Sequence, residues 1–382
     1  MTVDLTSEIS TKMSDTYSVQ RFNTPKVASL VRMATVGLTP MFDSNARLFC
    51  YRLKQTENGL VQQGLSQRYT VITLMGLHRL EQAGIKSPIP IGPTIDGLLA
   101  NLDWVDNIGD LGLLLWMCGL VAPGRVSEIL KKVDLTAAWN RYADVRQGIT
   151  MHVAWFLTGI SQVKLACPEL LPDVEEVANQ SYKLLRKNQG HLACFAHSTT
   201  NVSLTERARA WIGSFADQVY PVYAMTKFSK AYGRPDALEP ALECAHRLCE
   251  LQGRKGQWWW HYDSRTGSVL DPYPVFSVHQ HGMAPMTLFE IGEATGTSFE
   301  NAISNGLRWI TDNELSRDMR DLPSGIIWRC LFRPRIGRYS DTFRNLLSRN
   351  NTDQMRTNVR VLLECRPYEL GWLLYAFAGR AQ

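Results

Sequence analysis

Little in this 382-residue chain points to a metal, a membrane or a nucleic acid. Its eight cysteines, at 50, 118, 167, 194, 244, 249, 330 and 365, form no C-x-x-C pair, and most sit in apolar contexts such as "LLWMCGL". Cys244 and Cys249 have no matching histidine pair, so neither zinc nor any other cofactor is expected. Scattered thiols of this kind predict a reduced, cytoplasmic protein. The longest apolar run, "LGLLLWMCGLVA", covers 12 residues and is too short for a transmembrane segment. The opening "MTVDLTSEISTKMSDTYS" lacks the apolar core of a signal peptide, and residues 1–24 read as a flexible polar tail. Basic residues outnumber acidic ones by only 41 to 36, and no single element concentrates them, which speaks against a nucleic-acid partner. Strand signals are few. "GQWWWHYD" with "GSVLDPYP", and "GIIWRCLFRP", are expected as β-hairpins inserted at one rim of a helical body.

Helical signals, by contrast, are plentiful and regular. Six long apolar segments open at Ser66, Asp106, Ile149, Phe215, Ser277 and Arg366, each beginning with polar or titratable residues. Helices that are apolar nearly all round are buried ones. Between them run amphipathic stretches such as 125–139, 174–188, 237–251 and 298–313, with apolar residues at three and four spacing. Six buried helices alternating with six half-buried ones predict an all-α (α/α)6 toroid, a repeat of helical hairpins, over residues 25–382. The later connections are the longer ones, and long loops are where function concentrates.

In such a ring the inner helices run the same way, so their N-termini and partial positive charges meet on one face. Arg68, Tyr69, Asp106, Asp110, His152, Asp217, Gln218, Tyr220, His279, Gln280, His281, Arg366, Tyr368 and Glu369 all fall there. Asp217, with His279 or His281, is expected to supply the acid and base, assisted by Asp106 or Tyr220. Arg366 is expected to orient the substrate, with Tyr69, Asp110, Arg329 and His197 also lining the funnel. Asp106 and Asp217 are equally good N-cap residues, which is their structural reading. If 258–263 is a strand, Trp258, Trp260 and Tyr262 share one face and Trp259, His261 and Asp263 the other. The second face is the one expected at the pocket.

Asp, His, Tyr and Arg among aromatic walls suit two chemistries. Paired carboxylates hydrolyse glycosidic bonds. Alternatively, a His or Tyr removes a proton beside a uronate carboxylate while an Arg neutralises that carboxylate, giving a lyase or an epimerase. A terpenoid cyclase, with aromatic rings stabilising a carbocation, is a further possibility, as is a non-catalytic toroid that binds a glycan or protein.

Two resemblances bear on this choice. "LQGRKGQWWW" holds Gln252, Gly256 and Trp258 in a Q-x3-G-x-W arrangement that resembles the QW motif of squalene–hopene-type terpene cyclases, where it fastens outer helices. Arg247 replaces the aromatic residue of that motif, and the cyclases' D-x-D-D acid motif is missing. In length and hairpin order the chain is more similar to the N-acylglucosamine 2-epimerase group and the unsaturated-glucuronyl hydrolases, and "SVHQHGM" resembles the histidines of the epimerase funnel. That resemblance implies a single toroid acting on a small sugar or an oligosaccharide.

Overall fold

Little of the six apolar segments is exposed. In the computed structural model, which describes residues 25–144, 149–170, 174–198, 210–334 and 359–381, they form α2 (Gln67–Gln82), α4 (Ile108–Val121), α7 (Thr150–Ala166), α9 (Phe215–Tyr232), α11 (Ala284–Thr295) and α13 (Pro367–Phe377). Residues 108–119 of α4 are all buried, as are Asp217 to Phe228 of α9 and Glu369 to Phe377 of α13. Each inner helix packs on the next, and α13 packs back on α2, so the ring closes. Glycines permit the tightest approaches. A Cβ on Gly159 of α7 would lie 2.2 Å from the Gly112 carbonyl oxygen of α4, and one on Gly76 of α2 would lie 2.2 Å from that of Gly371 in α13.

Outside this ring lie α1 (Val27–Leu38), α3 (Ile91–Ala100), α5 (Val126–Leu130), α6 (Leu135–Asp144), α8 (Glu175–Asn188), α10 (Leu238–Leu251) and α12 (Glu300–Trp309). The result is an (α/α)6 toroid. The polar tail expected over residues 1–24 lies outside the described residues. No helix among the described residues is long and apolar enough to cross a membrane.

Short strands gather at one rim. The chain forms β1 (Phe42–Asp43), β2 (Leu48–Thr56) and β3 (Gly59–Leu65), then β4 (Ile212–Ser214), β5 (His261–Asp263), β6 (Ser268–Asp271) and β7 (Val275–Phe276). Next come β8 (Arg320–Asp321), β9 (Ile326–Ile327), β10 (Cys330–Phe332), β11 (Arg360–Leu362) and β12 (Glu364–Cys365). β1, β3 and β12 all pair with β2, β5 lies between β4 and β6, and β10 lies between β7 and β11. The long β2–β3 hairpin was not among the expected strands. Its signal was Asn58-Gly59, a turn dipeptide, with Gly59 in the left-handed region at φ +94°.

The aromatic run departs from simple alternation. Residues 257–260 are not strand, β5 starts only at His261, and its pairing with β6 is irregular between His261 and Tyr262. Gln252 donates to the Gly256 and Ala302 carbonyls at 3.1 and 2.9 Å, tying the end of α10 to α12.

Beneath the rim the toroid axis is filled by rings. Tyr220 meets Trp372 at 6.1 Å between centroids, Trp372 meets Trp116 at 5.3 Å, and Trp116 meets Tyr223 at 4.9 Å. The Tyr223 and Tyr375 hydroxyls close the column at 2.6 Å.

Candidate functional site

Above this column, at the N-terminal ends of the inner helices, lies a cavity of about 210 Å³. Its wall takes Arg68, Tyr69 and Ile72 from α2, Met151 and Trp155 from α7, Ala216 and Tyr220 from α9, and Tyr368 from α13. Val278, His279 and Met283 come from the approach to α11, and Trp260, Phe276 and Arg329 from the rim. The cap Ser66 accepts from the Tyr69 N–H at 3.2 Å, which sets Arg68 and Tyr69 in the first turn of α2. Residues His279–Met283 form a π-turn ahead of α11. Pro285 has no N–H to return to the His281 carbonyl, so the regular ladder cannot extend back through this stretch.

Three inner helices carry an acid three residues after the cap, and each acid is buried and committed. Asp110 accepts from the side chain of its cap, Asn107, at 2.9 Å, and from Nε and Nη2 of Arg68 at 2.6 and 2.9 Å. Oδ2 of Asp217 accepts from the Ser214 N–H at 2.9 Å, the Ser214 hydroxyl at 2.8 Å and His197 Nδ1 at 3.0 Å, while Oδ1 takes the Met151 N–H at 3.2 Å. Glu369 accepts from the Arg366 N–H at 3.0 Å and from Nη1 of Arg329 at 2.5 Å. Each acid therefore ties down its helix start and holds a basic side chain above it. Arg68 and Arg329 line the cavity. His197, whose side chain is 48% exposed, is held by Asp217 and is not part of the wall.

Committed bonds leave donors over. Arg68 spends Nε and Nη2 on Asp110, and Arg329 spends Nη1 on Glu369 and Nε on Glu364 at 3.3 Å. Glu364 also pairs with Arg52 at 2.8 Å and Arg366 at 3.2 Å. Three arginines thus face two glutamates, a surplus of one positive charge. Arg366 is not in the wall. Its Nη1 donates to the Tyr69 hydroxyl at 2.7 Å and so positions that ring.

Environment separates the histidines. The hydrogen bond to Asp217 raises the His197 imidazole above its ordinary value. Burial pulls His279 and His281 down to about 3, and His152 to about 4, so all three are neutral near pH 7. Burial likewise pushes the Tyr220 phenol far up, so it stays protonated. Burial raises Glu369 too, with Arg329 opposing.

Tyr69, Tyr220, His279 and Arg329 thus meet at the cavity, Asp110, Asp217 and Arg366 bond to the wall residues Arg68, Met151 and Tyr69, and His197 is held by Asp217 outside the wall. Other candidates lie elsewhere. Asp106 is exposed, and Asn107 caps α4 in its place, accepting from Gly109 and Asp110 N–H. His281 is fully buried outside the wall. Trp259 turns away and donates its indole N–H to the Leu251 carbonyl at 2.8 Å. Nδ1 of His261 is 3.8 Å from Asp271, and Asp263 binds Arg265 within the hairpin turn. The ring that reaches the cavity is Trp260, from the opposite face, because the alternation does not start until β5. Arg68, Trp155, Phe276 and Tyr368 complete the wall. For Arg68 and Tyr368 the signal was position in the first turn of an inner helix, whereas Trp155 and Phe276 lie in apolar stretches with no separate signal.

No protein-family model matches the sequence, and a search of curated proteins finds no match. Solved structures do match in fold. A possible member of the GH105 family from Klebsiella pneumoniae is 12% identical, with a TM-score of 0.58, over 93% of this chain and 92% of that one. An unsaturated glucuronyl hydrolase from Bacillus sp. GL1 is 15% identical, with a TM-score of 0.57, over 92% of this chain and 94% of that one. A sugar epimerase from a ruminal bacterium is 10% identical, with a TM-score of 0.58, over 92% of this chain and 98% of that one. At such identities the shared property is the toroid.

Proposed function

We propose that this protein is a carbohydrate-active enzyme that takes an acidic sugar, or the end of a uronate-containing glycan, and works by proton transfer at carbon. One observation carries the reading. Among its described residues the cavity wall holds two guanidinium groups and six aromatic rings from Tyr, Trp and Phe, and no carboxylate. Hydrolysis by an acid pair needs two carboxyl groups flanking the bond. Here Asp110, Asp217 and Glu369 are spent on helix caps and basic partners. Guanidinium groups that keep spare N–H donors suit a sugar carboxylate, and flat rings such as Trp260 suit the apolar face of a pyranose.

In this reading His197 is the proton carrier and Asp217 orients it. Asp217 holds Nδ1–H, which leaves Nε2 as the basic atom. Nε2 takes the proton from the carbon bearing the carboxylate, and the electron pair left behind spreads into the carboxylate group held by Arg68 and Arg329. Return of a proton to the opposite face inverts that carbon. Expulsion of the neighbouring glycosidic oxygen instead gives an unsaturated sugar. Tyr220 stays protonated and donates to the developing negative charge. The GH105 member, the glucuronyl hydrolase and the sugar epimerase share the toroid and support a sugar substrate by analogy of fold.

The aromatic wall also suits a terpenoid carbocation. The two guanidinium groups weigh against it, because they repel a cation. A non-catalytic toroid that binds a glycan would use the same wall without turnover.

The test is incubation with glucuronate- and galacturonate-containing oligosaccharides in deuterated water. Deuterium at the carbon bearing the carboxylate, or a double bond formed there, is expected by NMR, and its loss in His197→Ala. Bond cleavage that gives saturated products without exchange, or turnover of neutral sugars alone, refutes the reading.

A further inference from the structure

A second basic surface begins one carboxylate away from the cavity. Glu364 is buried, and its two oxygens face different neighbours. Oε1 takes Nε of Arg329, a residue of the cavity wall, at 3.3 Å, and Oε2 takes Nη1 of Arg52 at 2.8 Å. Arg52 is thus held next to the wall without belonging to it. Its Nε also donates to Gln63 Oε1 at 2.8 Å, so side chains of β3 and β12 clamp the guanidinium between them. Nη2 is left over, and the side chain is 32% exposed.

Lys54 continues this surface outward. It lies two residues along β2 from Arg52, so the two side chains share a face, with their backbones about 7 Å apart. Glu364 is directly across the ladder from Lys54, but its oxygens are already taken by Arg52, Arg329 and Arg366. On the other side, Gln63 and Val61 stand across from Arg52 and Lys54 and carry no charge. Lys54 is exposed and forms no ion pair among the described residues. Arg52, Lys54, Arg329 and Arg366 therefore face only Glu364 and Glu369, and the positive surplus at the rim rises to two.

We propose that Arg52 and Lys54 form an outer anion subsite, which binds a second carboxylate when the residue next to the sugar acid in the cavity is itself acidic. This rests on the acidic-sugar reading above, and it names the substrate as a glycan with uronates on adjacent residues. Arg329 and Arg52 meet on a single carboxylate of the protein, so the two anions they hold lie about one sugar residue apart. Clamping fixes the Arg52 guanidinium before a ligand arrives, which spares part of the cost of ordering it. Lys54 adds a cation with no competing acid. The subsite lies outside the wall, so it strengthens binding and does not touch the reacting carbon.

The experiment is calorimetry on the full chain with glucuronosyl-glucuronate and glucuronosyl-glucose, which differ only in the second carboxylate. Wild type is expected to bind the diacid roughly tenfold more tightly, the worth of one hydrogen bond to a charged group. Most of that preference should vanish in about 1 M salt, where exposed charges are screened within about 3 Å. Arg52→Gln and Lys54→Gln should each cut the ratio to roughly threefold, half of the preference in free energy. Thermal melts check that both variants fold. Lys54→Gln, at an exposed and unpaired position, decides the matter if Arg52→Gln does not. If wild type binds both disaccharides equally, or Lys54→Gln keeps the full preference, this inference fails while the acidic-sugar reading stands. If wild type binds neither disaccharide, the acidic-sugar reading falls and takes the inference with it.

Discussion

Replacing Asp217 by Asn separates an anchoring acid from a reacting one. The carboxylate takes four hydrogen bonds, from the Ser214 N–H, the Ser214 hydroxyl, His197 and the Met151 N–H. An Asn side chain can keep its oxygen at the Oδ2 position, but its amide then meets the Met151 N–H, donor against donor. Three charge-assisted bonds become neutral ones, each weaker by about 1 kcal/mol, and the stranded N–H costs about 1–3 kcal/mol more. Relief of burying a charge offsets part of this, leaving a loss of about 3–5 kcal/mol, typical of a broken buried network. Scaled to a chain of this length, that is a melting point lower by roughly 4–6 °C. The pH dependence carries a second signature. The folded pKa of His197 is raised, so the stability from its pairing is complete below the ordinary value of about 6.5 and fades as pH rises through the folded value. The gap between wild type and Asp217→Asn should therefore be wider at about pH 6 than at about pH 8.5. It should widen by no more than about 1 kcal/mol, because His197 is half exposed. NMR titration of His197 should move back towards the ordinary value in the variant. A melt within about 1 °C of wild type, an error-sized shift on this scale, with an unmoved His197 titration would refute the anchoring role.

Other substitutions probe the rest of the molecule. Gly159→Ala drives a methyl group into the Gly112 carbonyl and should cost about 2 kcal/mol by thermal or denaturant unfolding, more than its gain in helix propensity. Trp260→Ala should weaken binding of a sugar acid with little change in melting point. Trp259→Ala should do the reverse, losing about 2 kcal/mol of stability through the broken Leu251 contact. Arg329→Met strands the buried Glu369 and should destabilise the fold by about 3–5 kcal/mol near neutral pH. Glu369 is already raised, so that loss should shrink as pH falls and the acid protonates. Asp106→Ala, at an exposed position outside the cavity, should change unfolding by less than about 0.5 kcal/mol.

The toroid was legible because α2, α4, α7, α9, α11 and α13 carry long, mostly apolar runs behind polar starts, a pattern that survives without any knowledge of neighbours. The meeting of their polar starts followed from the ring. Roles were harder to read. An acid three residues past a cap looks the same in sequence whether it reacts or braces the turn, and Asp217 was distinguishable only once Ser214, His197 and Met151 were seen around it. Arg329 was placed at the rim from its strand context, yet its partner Glu369 lies 40 residues away. Trp259 and Trp260 exchanged places because period-two alternation presumes a strand, and the chain is irregular until His261. The β2–β3 hairpin was overlooked although Asn58-Gly59 marked its turn.

The aromatic column beneath Tyr220 turns the ring into a cup. Trp372, Trp116 and Tyr223 fill the axis that a ring might have left open. Among the described residues, a molecule that comes in from the rim finds no exit along the axis. In the proposed enzymatic role, product and incoming substrate compete for that entrance, so product inhibition should be competitive. A polymer can offer only its terminus, and the length of the chain left outside should matter little to what happens within.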